Sequence, residues 1–241
     1  MRCLRIALYT PVSVTLPIAY NQLVQGLLYS CWRDAYPDVH GSTQSGATSM
    51  PPFTFGPLEE DIRINAKSKT VQLNGIVSFE VRSPHEELVE EVAVRLSSFA
   101  HIRLGAHELE LVNLESKDRL LFPQRSRIRM RSPVVAYRTT EDRHTLYFSP
   151  ADSEWIDLIN ANVQKKAQAH GVPFDRPLQI IPTSKSQREH MTRFKGTYIK
   201  GWTGTMIVDA TPDILAMLWT MGLGSKNSQG FGMFDILERP L

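Results

Sequence analysis

Apolar and polar residues alternate at the start of the chain, with Leu4, Ile6 and Leu8 on one side of an extended segment. A period of two over residues 2–9 predicts a half-buried strand. From about Ala19 the period changes. Tyr20, Leu23, Val24, Leu27 and Cys31 recur at three- and four-residue spacing, which predicts an amphipathic helix. Alternation returns at Leu73, Gly75, Val77, Phe79 and Val81, and a shorter run around Ile62 and Ile64 can pair with it across Lys67-Ser68-Lys69. Ser83-Pro84-His85-Glu86 reads as a capping box with proline at the first helical position. Leu88, Val89, Val92, Ala93, Leu96 and Phe99 supply that helix's buried face, and residues 102–114 revert to a strand ending in Leu109, Leu111 and Leu114. The order is β-α-β-β-α-β.

The same order recurs further along. Pro133–Arg138 and Thr145–Phe148 are short strand candidates, and Trp155, Ile156, Ile159 and Val163 mark a helix from about Asp152 to His170, stopped by Gly171. Strands are predicted at Leu178–Ile181 and Tyr198–Val208. A helix follows from Thr211-Pro212 through Ile214, Leu215 and Leu218, with Gly222 as a left-handed terminator and Phe231–Leu237 as the closing strand. These patterns predict an α+β fold of two tandem ferredoxin-like (β-α-β-β-α-β) domains, divided as residues 1–118 and 119–241. Such a fold assigns no function by itself.

With 241 residues, 42% of them hydrophobic and 22% charged, the chain has the balance of an ordinary globular protein. No run approaches the ~18 apolar residues of a membrane span, so no membrane association is expected and a cytoplasmic location is the default. Cys3 and Cys31 both lie in apolar segments and are expected as buried free thiols. The net charge of +2 conceals an asymmetry. Residues 1–115 carry 9 Lys/Arg and 13 Asp/Glu, a balance of −4; residues 116–241 carry 18 and 12, a balance of +6. A basic second half points toward a polyanion.

The seven histidines are scattered, without the cysteine partners and spacing of a zinc site. Gly224-Ser225-Lys226 lacks the order of a phosphate loop, and no Gly-x-Ser-x-Gly elbow occurs. No metal and no cofactor are expected. Three features remain. Gly222, Gly224, Gly230 and Gly232 fall within eleven residues, where exposed N–H groups and Lys226 could grip phosphates; a flexible connector is the alternative. Arg125, Arg127, Arg129 and Arg131 share one face of an extended chain, fitting a phosphate backbone or a solvated sheet edge. Tyr29 lies opposite the apolar stripe of its helix, facing outward, and His40 follows in the polar segment Asp38–Ser49. An imidazole there suits general acid–base work, or is simply exposed.

Taken together, Leu16–Tyr29, His40, Pro52–Phe55 and above all Gly222–Gly232, with Ser225-Lys226-Asn227-Ser228 and Gly230-Phe231-Gly232-Met233, resemble the CRISPR-associated endoribonucleases of the sixth Cas family. The resemblance implies metal-free cleavage of CRISPR repeat RNA on the 3′ side of a hairpin. In that reaction a 2′-hydroxyl attacks the adjacent phosphate and leaves a 2′,3′-cyclic phosphate and a 5′-hydroxyl. His40 matches the family's catalytic histidine, and Tyr29 matches an assisting tyrosine of some members. Gly222, Gly224, Ser225, Lys226, Asn227, Ser228, Gly230 and Gly232 match an RNA-binding loop. Other CRISPR effector-complex subunits become candidate partners. One departure stands out: Met50, Pro51 and Pro52 occupy the positions where some members carry a lysine. Lys200, Lys226 and the arginine row are the candidates to replace it. A non-cleaving RNA-binding subunit and a structural or small-molecule-binding ferredoxin-like protein are the rival readings.

Overall fold

The computed structural model describes residues 2–40, 50–119, 121–183 and 187–237. The first half runs β1 (Cys3–Tyr9), β2 (Val14–Pro17), α1 (Asn21–Trp32), β3 (Thr54–Phe55), β4 (Glu59–Asn65), β5 (Thr70–Arg82), α2 (Glu86–Ser98), β6 (Ile102–Leu104) and β7 (His107–Ser116). Its antiparallel sheet is ordered β4-β5-β1-β7 at the centre, with β2 and β3 also on β5 and β6 on β7. Ile6 pairs with Phe79 on one side and Leu114 on the other, so the inward residues of three strands align. Leu4, Ile6, Leu8, Val77 and Phe79 form a core with Val24, Leu28 and Trp32 of α1 and Val89, Val92 and Leu96 of α2.

The second half contains β8 (Arg125–Met130), β9 (Ala136–Thr139), β10 (Thr145–Phe148), α3 (Ser153–His170), β11 (Gln179–Pro182), β12 (Arg188–Phe194), β13 (Thr197–Thr203), β14 (Thr205–Asp209), α4 (Pro212–Met221) and β15 (Phe234–Leu237). Its main sheet is ordered β11-β14-β8-β15, all antiparallel. The central order of the first half is the same, second-third-first-fourth, which defines a ferredoxin-like unit. The tandem ferredoxin-like fold is therefore present. β9–β10 and β12–β13 are hairpins added to the second unit.

Several local expectations are corrected. The first strand of the second unit is Arg125–Met130, not Pro133–Arg138: Ser126, Ile128 and Met130 point into the core while Arg125, Arg127 and Arg129 stay exposed. Tyr198–Val208 is interrupted at Gly204, whose φ of 147° separates the projecting β13 from β14 in the main sheet. Helix α2 begins at Glu86 with no side-chain cap; the Ser83 hydroxyl accepts from the His85 N–H instead, and Glu86 receives Arg2. Phe99 lies at the end of α2 and is 37% exposed, off the buried face. Gly171 ends α3 in the left-handed region, whereas Gly222 has φ 85° and ψ 154°, a conformation outside it that only its missing side chain permits comfortably. Cys3 and Cys31 are buried free thiols, and burial pushes both up to about 12.

A buried ionic cluster fastens the two units together. Glu80 of β5 accepts from Arg82 and from Arg131, each at 2.7 Å, and Arg131 also meets Glu59 at 2.8 Å. Arg82 donates to the Phe234 carbonyl at 2.8 Å and lies 4.2 Å from the centre of the Trp219 ring.

Candidate nucleic-acid interface

Between α4 and β15 the chain folds over itself as Gly222–Gly232, with a short 3₁₀ turn at Asn227–Gln229. Gly222, Gly224, Gly230 and Gly232 are buried, each at positive φ. A Cβ on Gly224 would meet the Val135 carbonyl oxygen at 2.6 Å, and one on Gly230 would meet Phe55 at 2.6 Å. The N–H groups of Gly222, Leu223, Ser225, Gln229, Gly230 and Gly232 donate to Leu218, Gly232, Val135, Lys226, Asn227 and Pro133 carbonyls. These six donors are turned inward and are not offered to a ligand, which narrows the expectation of exposed N–H groups to the rest of the loop. Glycine is needed here for the loop's own packing.

Helix α1 holds this loop from the first unit. Asn21 Nδ2 donates to the Gln229 carbonyl at 2.9 Å and Gln25 Nε2 to the Ser228 carbonyl at 2.7 Å. The phenol of Tyr29, one further turn along, lies beside the Ser228 side chain in the same cleft. Residues spaced by four share a helix face, so Asn21, Gln25 and Tyr29 form a single row against the loop. Tyr29 is half-buried, its ring edge-on to Trp32 at 6.0 Å and to Phe53 at 5.7 Å. It sits in the seam between the units and not on the outer surface, a correction to its expected outward aspect. Burial pushes its phenol up, and the Ser228 contact offsets part of that.

Gln25, Tyr29, Lys195, Lys226, Ser228 and Gln229 line a cleft of about 480 Å³, bordered by Pro51. Lys226 adopts a left-handed conformation (φ 62°) and its ammonium lies 4.6 Å from the Tyr137 ring centre. Burial lowers its pKa. Lys195 comes from the turn of the β12–β13 hairpin, which also carries Arg188, Arg193 and Tyr198. His40 closes a 3₁₀ turn at Pro37–His40; its side chain and residues 41–49 lie outside the described residues.

The arginine row divides. Arg125, Arg127 and Arg129 are exposed on the open face of the second sheet. Their strand is central, paired on both sides, and none of the three lines the cleft. The Arg131 side chain is 9% exposed within the ionic cluster. Burial opposes its charge, but Glu80, Asp235 and Glu59 outweigh this and hold its pKa above the ordinary arginine value. Arg131 is thus a structural cation and not part of the exposed row. Lys200 pairs with Glu189 at 3.4 Å on the hairpin and is likewise absent from the cleft lining.

Sequence reasoning missed Lys166. It is 2% exposed, and its Nζ donates to the Gly222 carbonyl at 2.7 Å, the Gly224 carbonyl at 2.8 Å and Asn227 Oδ1 at 2.7 Å. The signal was present: Trp155, Ile159, Val163, Lys166 and His170 follow one another at four, four, three and four, which is the buried stripe of α3. Asn21 and Gln25 were legible in the same way, from their spacing to Tyr29. Among the described residues, no group of three or more His, Cys, Asp or Glu is placed to hold a metal ion, and no helix is long and apolar enough to cross a membrane.

The family model for the C-terminal part of CRISPR associated protein Cas6 matches residues 115–236. A solved structure described as a Cas6-related gene from Pyrococcus furiosus is similar at TM-score 0.85 and 16% identity, covering 99% of each chain. An RAMP protein binding different RNA substrates is similar at TM-score 0.83 and 17% identity, covering 99% of this chain and 100% of that one. A Cas6 product complex is similar at TM-score 0.69 and 17% identity, covering 98% and 99%. No curated protein matches in sequence. At these identities the solved structures establish the shared tandem fold, while the family match spans 122 of 241 residues and includes the whole glycine loop. The chain belongs to the Cas6 family of CRISPR-associated proteins.

Proposed function

We propose that this chain is a metal-independent endoribonuclease that binds CRISPR repeat RNA and cuts it in the cleft between α1 and the glycine loop. The observation that carries this reading is the convergence of Tyr29, Ser228, Lys226 and Lys195, drawn from both units, on one cleft. The family membership and the likeness to a product complex and to an RNA-binding RAMP protein support RNA as the ligand. The units are taken to divide near residue 118, the first carrying Tyr29 and His40, the second the loop.

In the proposed reaction the 2′-hydroxyl of the cut nucleotide attacks the adjacent phosphorus. The bond to the 5′-oxygen breaks, leaving a 2′,3′-cyclic phosphate and a 5′-hydroxyl. His40, a few residues beyond α1, moves a proton at one of these two oxygens, as general acid–base catalysis requires. Tyr29 contributes a hydroxyl that stands beside Ser228. Lys226 is the preferred replacement for the lysine missing at Met50–Pro52, because it lines the cleft where Lys200 and Arg131 do not; Lys195 is its neighbour. Two cations beside a phosphate stabilise the charge that builds on its oxygens. Arg125, Arg127 and Arg129 track the RNA backbone outside the cleft. Other effector-complex subunits are proposed partners of the RNA-bound chain.

The test is a gel of end-labelled repeat RNA incubated with the protein in EDTA. Cutting to a cyclic-phosphate end is expected. A mobility shift without cutting would replace this reading with that of a non-cleaving repeat-binding subunit, and neither would remove RNA as the ligand.

A further inference from the structure

Lys166 is an ammonium buried without a carboxylate partner among the described residues. A charge in such a place is retained only where fixed acceptors replace its water. All three of its N–H bonds are directed at the glycine loop. Its partner Asn227 is the loop's internal pillar: Asn227 Nδ2 donates to the Leu223 carbonyl at 3.2 Å and the Phe231 carbonyl at 3.0 Å. Cβ atoms on Gly222 or Gly232 would strike that same amide at 2.5 Å, so the glycines clear space for it. Asn227 is flanked in the chain by Lys226 and Ser228, which face the cleft. An apolar side chain of similar length would fill the volume beneath the loop but could not fix the direction of its carbonyls.

We propose that Lys166 is a positioning residue of the cleft: its ammonium fixes the glycine loop from beneath, so that Ser228 stands against the Tyr29 hydroxyl and Lys226 faces the cleft. The role as a positioner of catalysis rests on the RNA-cleaving reading, but the positioning itself is measurable without RNA. Burial pulls the Lys166 pKa down to about 7, while its three oxygen acceptors favour the ammonium. The neighbouring titratable groups are His170, one turn along α3, and His85, whose ring lies 5.3 Å from that of His170. His170 is held below its ordinary pKa by burial, His85 and Lys166, and the Tyr29 phenol is raised by burial.

The experiment uses the full chain labelled with 3-fluorotyrosine, with the Tyr29 fluorine signal identified by its loss in Tyr29→Phe. Lys166→Met is expected to melt cooperatively and to shift or broaden the Tyr29 signal, and Lys166→Arg to restore it in part. Single-turnover cleavage by Lys166→Met should fall up to about 10²-fold, the scale of a misplaced reacting group, with RNA affinity nearly unchanged. A folded Lys166→Met chain with an unaltered Tyr29 signal overturns the proposal, whether or not the protein cuts RNA. A moved Tyr29 signal with full cleavage overturns the catalytic part. A moved signal in a protein whose wild type never cuts RNA upholds the positioning and removes only the cleavage reading. Should Lys166→Met fail to fold, a pH titration of the wild-type chain with labelled lysine decides. Tyr29 must shift with the Lys166 midpoint, and independent midpoints overturn the proposal.

Discussion

Gln25 Nε2 lies 2.7 Å from the carbonyl oxygen of Ser228, joining residues 203 positions apart in the chain. Gln25 is 5% exposed and Ser228 half-buried, and the bond ties the first unit to the loop of the second. Gln25→Leu removes the donor and leaves a half-buried carbonyl unpaired. Such a loss costs about 0.5–1.5 kcal/mol, readable as a lower urea midpoint with an unchanged slope. Cleavage should weaken as well, since Tyr29 meets Ser228 next to the same bond. A variant of wild-type stability would show that the latch carries no load.

His40→Ala is expected to slow cleavage by about 10²–10⁴, the usual contribution of one positioned acid or base. RNA affinity should hold nearly constant, because phosphate contacts dominate it. Tyr29→Phe should cost less, keeping the ring against Trp32 and Phe53 and losing only the hydroxyl. RNA with 2′-deoxyribose at the cut nucleotide should bind and stay whole. Cutting of the deoxy substrate would contradict attack by the 2′-oxygen.

The arginines separate by consequence. Arg127→Ala together with Arg129→Ala should leave the fold intact and flatten the dependence of log K on log salt, by roughly 0.7 to 0.9 for each lost phosphate contact. Arg131→Ala should instead lower stability by about 1.5–3 kcal/mol, since it takes from the buried Glu80 one of its two close arginines and from Glu59 its closest cation, while Arg82 still holds Glu80. Equal melting temperatures for the two variants would erase the distinction.

Two glycine substitutions should act in opposite directions. Gly26 lies within α1, and an added Cβ there would meet nothing within 4 Å. Gly26→Ala should stabilise by about 1 kcal/mol through helix propensity. Gly224→Val, at φ 72° against the Val135 carbonyl, should destabilise by about 1–3 kcal/mol. It should also damage RNA binding, but through the fold and not by blocking a strand. Melting curves taken without RNA check both.

Acid should loosen the seam. Burial works to raise the Glu80 pKa, but Arg82 and Arg131 outweigh it, and the folded value lies below the usual 4.5. The unfolded chain therefore binds a proton first as pH falls. Stability from this group is complete above about pH 4.5, near the unfolded value, and is lost as pH drops through the folded one. The difference in urea midpoint between wild type and Glu80→Gln should be constant above about pH 5 and shrink below about 4.5. A difference independent of pH would mean that the two arginines do not hold the carboxylate.

The doubled β-α-β-β-α-β order was legible because Leu4, Ile6 and Leu8, or Trp155, Ile159 and Val163, repeat at periods that local geometry enforces. What escaped depended on which residue occupied a legible position. Arg125–Met130 reads first as a basic motif, although Ser126, Ile128 and Met130 alternate as a strand should. Lys166 sits on the buried stripe of α3, but a lysine is read as solvated until its acceptors are seen, and those acceptors are 56 or more residues away. The glycines were conspicuous, yet their purpose depended on Val135 and Phe55, which no local pattern connects to them. The helix period puts Tyr29 opposite the apolar stripe, but the loop that covers that face lies about 200 residues further along the chain.

The bonds from Asn21 and Gln25 to Gln229 and Ser228 span 208 and 203 residues. During synthesis, the first ferredoxin-like unit can therefore collapse well before its half of the cleft has anything to face. Contacts of such long sequence separation are formed late, once the entropy of closing the intervening chain has been met. On a translating ribosome the nascent protein would carry Tyr29 on a folded helix with no loop beside it, and so be unable to present a finished cleft to RNA. Assembly of the site would thereby wait for the emergence of the Gly222–Gly232 loop.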